Sequence, residues 1–66
     1  MNIARVALKQ GGSLYLRDPR VQGKFLVGVE CDANGVGVRR DGCTEDPALM
    51  IRRDRIRRLE PWRGET

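Results

Sequence analysis

Five arginines crowd into residues 52–58, interrupted only by Asp54 and Ile56. A guanidinium is planar and permanently charged, and its donors grip phosphate or carboxylate two at a time and stack on bases. In either local conformation that the segment can take, at least three of these groups fall within about 10 Å, roughly a Debye length at 0.1 M salt, so their fields add. Arg52, Arg53, Arg55, Arg57 and Arg58 are therefore candidate nucleic-acid-binding residues. Arg17 joins them, together with Tyr15, whose ring offers a stacking surface for a base. Residues 1–48 carry seven basic and six acidic side chains, whereas residues 49–66 carry six and three. Arg outnumbers Lys 11 to 2. That bias fits RNA or DNA phosphates or an acidic protein surface. It also fits a GC-rich genome with no binding role, an origin that leaves the clustering unexplained.

Other chemistries are short of parts. There is no His, which removes Ser-His-Asp and Cys-His triads, His metal ligation and a switch near neutral pH. Cys31 and Cys43 are too few for a four-ligand zinc site or a disulfide framework. The plainer reading is two free thiols, although a bridge between them would close only a short loop. Asp41, Glu45 and Asp46 lack the spacing of a calcium loop, and Gly35-Val36-Gly37 lacks the Lys-Ser/Thr ending of a phosphate loop. No catalytic residue, metal or cofactor is expected. Residues 1–5 contain no apolar leader and no apolar run exceeds four residues, so the expectation is a cytoplasmic protein without membrane association.

The chain of 66 residues is sized for one domain, expected over 1–62 with a short tail at 63–66. Gly11-Gly12, Asp18-Pro19, Gly23, residues 32–35, Asp41-Gly42 and Asp46-Pro47 punctuate it at intervals that suit short strands. Leu14 and Leu16 share one strand face, with Tyr15 and Arg17 on the other. In residues 24–31 the alternation predicts Phe25, Val27, Val29 and Cys31 inward and Leu26 outward. A turn with Gly35 left-handed then leads back through Val36 and Val38, giving a hairpin over 24–40. After Pro47 two parses compete. One is a helix over 48–60 started by Asp46 and Pro47; the favoured one is a strand at 48–52, a tight turn at 53–55 and a strand at 56–60. In the second, Ile56 and Leu59 are not strictly alternate, and Arg58 competes with Ile56 for the inner face unless a bulge intervenes.

Five or six short strands with one helical turn before the last predict an all-β fold, a small SH3-like barrel. The order of features resembles the SH3-like and Sm-like barrels. Ile51-Arg52-Arg53-Asp54-Arg55-Ile56 stands where Sm-like proteins carry an Ile-x-x-x-x-Ile/Val segment, with Arg53 and Arg55 where that motif has Gly and Asn. A second resemblance, to the carbon-storage-regulator family of RNA-binding repressors, rests on Gly12-Ser13-Leu14 and the same 51–56 segment. The Glu and His of that family's motifs are absent. Both imply a small β scaffold, and the second implies RNA as partner.

The leading expectation is a non-catalytic module that contacts RNA or DNA backbone through the arginines. The alternative is a small phage- or mobile-element-type protein that binds and modulates a host protein through an apolar patch near Leu26 or Trp62. Homo-oligomerisation fits a chain this small, with Val21 and Leu26 as candidate contact surface.

Overall fold

Alternation and turn chemistry translate into five strands in the computed structural model, which describes residues 2–38 and 48–63. They are β1 (Ile3–Leu8), β2 (Ser13–Gln22), β3 (Phe25–Cys31), β4 (Ala48–Arg52) and β5 (Ile56–Trp62). A single 3₁₀ turn, Arg53–Arg55, joins the last two. All neighbours are antiparallel, in the order β4-β3-β2-β1-β5. The strand–turn–strand parse of 48–60 therefore holds, and the helix parse does not. Strand β5 continues through Pro61, which is tolerated because β5 is an edge strand and one flank needs no N–H donor.

The main core lies on one face of this sheet. Val6, Leu16, Leu26 and Ile51 form its centre, one from each of the first four strands, with Leu8, Leu14, Leu49 and Ile56 packed around them. Val6 and Leu16 are fully enclosed. Burying an aliphatic side chain of this kind contributes about 1.5–3 kcal/mol. Strand β5 meets the face through a bulge that keeps Arg58 off the inner side. Ala7 pairs with Arg58 and Leu8 with Ile56, so Arg57 is the extra residue and both Ile56 and Leu59 stay on the core side.

Two expectations for β3 are overturned. Leu26 points inward and is 3% exposed, while Phe25, Val27 and Val29 lie half-buried on the opposite face. Leu26 pairs directly with Ile51, and Gly28 with Leu49, so the inward set is Leu26 and Gly28. The strand is apolar on both faces, and three β-branched or aromatic residues outweighed one leucine in the alternation. Cys31, expected inward, is buried on the Val29 side. The hairpin over 24–40 also shrinks. Among the described residues beyond β3 there is no further strand, but a bridge between Cys31 and Gly37 and bonds from Asp32 N to the Val36 carbonyl and from Val38 N to the Glu30 carbonyl, while β4 pairs with β3 over Phe25 to Val29. Residues 39–40 fall outside the described residues. The turn itself forms: the Asp32 carboxylate accepts bonds from Asn34 N and Val36 N, and Gly35 has φ of 85°. Val21 remains exposed, whereas Leu26 is no contact surface.

Gly28 marks where the sheet bends. Arg17 pairs with Val29 and Arg20 with Val27, so Asp18 and Pro19 together oppose Gly28. Asp18 adopts φ of 51° and its N–H bonds to the Asn2 carbonyl. A Cβ at Gly28 would lie 3.1 Å from both the Arg17 carbonyl oxygen and Leu16 Cβ, and these are backbone-fixed atoms. Gly28→Ala is expected to destabilise the fold by about 1–3 kcal/mol, read as a lower urea midpoint. An unchanged midpoint would mean that the bulge can move aside.

The expected barrel closure is not complete. Among the described residues β4 and β5 share no ladder, and the sheet is open between them. The 3₁₀ turn spans that opening and is tied at both ends to hairpin turns. Arg53 N donates to the Lys24 carbonyl at 2.8 Å, and Lys9 N donates to the Arg55 carbonyl at 2.9 Å.

Candidate nucleic-acid interface

Those two backbone bonds decide which cations become neighbours. The 3₁₀ turn brings Arg53 beside Lys24 of the β2–β3 turn and Arg55 beside Lys9 of the β1–β2 turn. Arg52 precedes the turn at the end of β4, and Arg57 follows it at the β5 bulge. All of Lys9, Lys24, Arg52, Arg53, Arg55 and Arg57 are exposed. Asp54 is the one acid within the turn. Its carboxylate accepts a bond from Arg52 Nη2 at 3.3 Å, with both side chains more than half exposed. Such a pair is worth about 0–1 kcal/mol, so exchanging the carboxylate for a phosphate costs little. Among the described residues Arg53, Arg55 and Arg57 form no ion pair. A shallow depression of about 360 Å³ lined by Gly23, Lys24, Arg52, Arg53 and Asp54 lies between the β2–β3 turn and the 3₁₀ turn.

The remaining candidates sit elsewhere. Arg58 is on the sheet face opposite the core, in register with Ala7, and Glu60 holds it at 3.6 Å while also holding Arg5 at 3.3 Å. Arg17 and Tyr15 share that outer face. Arg17 Nη1 donates to the Gly35 carbonyl at 3.0 Å, anchoring the 32–35 turn over the sheet. Tyr15 packs against Trp62, with ring centroids 5.2 Å apart and planes tilted by 50°. Trp62 Nε1 donates to the Ala33 carbonyl at 2.9 Å. Tyr15, Trp62, Ile3 and Cys31 thus form a second, smaller apolar cluster beneath that turn, with Ile3 and Cys31 buried. Tyr15 is half-buried there and is not brought to the turn-borne arginines.

Sequence reasoning missed Lys9 and Lys24. Their signal was present, since each sits against a turn glycine (Lys9 shortly before Gly11, Lys24 just after Gly23). What the sequence did not show was that one three-residue turn would bond to both hairpins.

Cys31 is a free thiol. Burial pushes its pKa above the ordinary 9.0; Arg17 opposes the shift, and Asp32 and Glu30 add to it. The folded state therefore holds this proton more tightly than the unfolded chain. Its contribution is fully present below pH 9.0 and declines as pH rises through the folded value. Iodoacetamide at pH 8 is expected to leave the Cys31 peptide unmodified in native protein and to label it in urea, as read by peptide mass mapping. Rapid native labelling would contradict the burial. The question of a Cys31–Cys43 bridge involves Cys43, which lies outside the described residues.

Among the described residues no group of acidic or cysteine side chains could hold a metal ion, and no helix is long and apolar enough to cross a membrane. No family model matches the chain, and neither a curated protein nor a solved structure does.

Proposed function

We propose that this chain is a non-catalytic binding module that engages nucleic-acid backbone, RNA foremost, through the basic surface around its 3₁₀ turn. The supporting observation is the pair of backbone bonds that tie the Arg53–Arg55 turn to the Lys9 and Lys24 turns, gathering cations from three segments around a single carboxylate. Lys and Arg on turns suit phosphates, which are contacted without regard to sequence and with release of counterions. The aromatic pair Tyr15–Trp62 gives this surface no stacking platform, because it lies on the outer sheet face with its own partners, and Phe25, in register with Arg52, is half-buried. Binding is thus expected to be tolerant of sequence. RNA is preferred over DNA on the resemblance to the carbon-storage regulators, and an SH3-like barrel is the architecture that the strand order and the 3₁₀ link favour.

The test is fluorescence anisotropy of a labelled oligouridylate titrated at several salt concentrations. Affinity falling steeply with salt, with similar values for oligouridylate and oligoadenylate, is the expected result. Affinity that stays constant from low to high salt would refute the reading.

A further inference from the structure

The open side of the sheet carries a second kind of surface. A groove of about 550 Å³ runs between β4 and the β1–β2 turn, floored by Leu8, Leu14, Leu49 and Ile51. Met50 also lines it, although Met50 belongs to the opposite face of β4, in register with Val27. Consecutive residues of β4, from both of its faces, line the groove, which therefore reaches that strand's edge. Strand β4 is the terminal strand of the sheet, and no described strand pairs with its outer side. Among the described residues, the backbone donors and acceptors on that side are left to a further strand. Met50 itself is 58% exposed.

We infer that this groove accepts an extended peptide of alternating apolar and acidic residues, added as a strand along the free edge of β4. Three features select that ligand. Alternate side chains of an added strand would point toward the Leu8, Leu14, Leu49 and Ile51 floor, which rewards apolar residues at every second position. The rim carries Lys9, Arg52 and Arg55 against Asp54, which rewards carboxylates at the intervening positions. No aromatic ring lines the groove, so an unstacked base would find no platform there. The inference goes beyond the nucleic-acid reading, yet the two ligands share Arg52 and Arg55 and are expected to compete.

The test uses a labelled, capped peptide alternating valine and glutamate, with an equally charged peptide alternating serine and glutamate as comparison. The valine peptide is expected to bind at least about tenfold more tightly, the scale of burying one such side chain. Leu49→Ala is expected to weaken it about tenfold, because Leu49 is the β4 side chain on the floor that the valines would meet, whereas Leu49→Met retains it. Oligouridylate affinity, measured alongside, is expected to be unchanged by Leu49→Ala, which separates failure of this site from failure of the fold or of the basic surface. Equal binding of the two peptides, or no response to Leu49→Ala, would overturn the inference. So would a protein dimer in light scattering that the valine peptide does not dissociate, because a second copy would then own the edge.

Discussion

Replacing Lys9, Lys24, Arg53, Arg55 and Arg57 together with alanine is expected to remove nearly all oligouridylate binding while leaving the fold intact. Each side chain is exposed, and none forms an ion pair among the described residues. The bonds that join the three turns are made by backbone atoms, so they survive truncation of the side chains. If the five cations each neutralise one phosphate, the logarithmic salt slope for a single strand is about −3.5, which is about a hundredfold in affinity between 50 and 200 mM salt. The variant should lose most of that slope as well as the affinity. A variant that bound as tightly with an unchanged slope would move the interface elsewhere. Arg58→Ala serves as the comparison. Its guanidinium lies on the outer face beside Glu60 and is expected to change affinity little.

Leu16→Ala is expected to unfold the protein or bring it to the edge of unfolding. Leu16 is fully enclosed at the centre of the core, where strands one to four each contribute a side chain. Truncating such a leucine costs about 2–5 kcal/mol through lost burial and the cavity left behind. A single core in a chain this short rarely supplies more than about 3–5 kcal/mol in total. The sole tryptophan, Trp62, reports the transition, because it is packed on Tyr15 and bonded to the Ala33 carbonyl. Urea titration followed by Trp62 fluorescence should show native signal lost at low denaturant. A midpoint close to that of the parent would mean that the Val6–Leu16–Leu26–Ile51 cluster carries little of the stability.

Much of the scaffold was legible because short-range rules dominate it. Gly11-Gly12 and Gly23 set strand ends, whereas Asp18-Pro19, read as a break, is absorbed as a bulge inside β2; the competition of Arg58 with Ile56 for the inner face is relieved by a bulge at Arg57. The faces of β3 were not legible. Phe25, Val27 and Val29 are the stronger strand formers, yet Leu26 goes inward because its neighbour across the sheet is Ile51, a partner 25 positions away. Gly28 was the local clue, since a Cβ there would crowd the Arg17 carbonyl oxygen and Leu16 Cβ at 3.1 Å beneath the Asp18–Pro19 bulge. The arginine cluster was visible as a run, but its division was not. Arg52, Arg53, Arg55 and Arg57 flank or form the 3₁₀ turn, while Arg58 turns to the outer face, one residue beyond the bulge, and meets Glu60. Tyr15 and Arg17 share their own face, as alternation indicates, and there serve to hold the 32–35 turn and Trp62.

The placement of the ligand is tested most directly by amide chemical-shift mapping of isotopically labelled protein titrated with oligouridylate at low salt. Shifts concentrated at Lys9, Gly23, Lys24 and residues 52–57, with those of Tyr15, Arg17 and Trp62 nearly unmoved, are the predicted result. Shifts centred instead on Tyr15, Arg17 and Trp62, or none anywhere at saturating RNA, would contradict it.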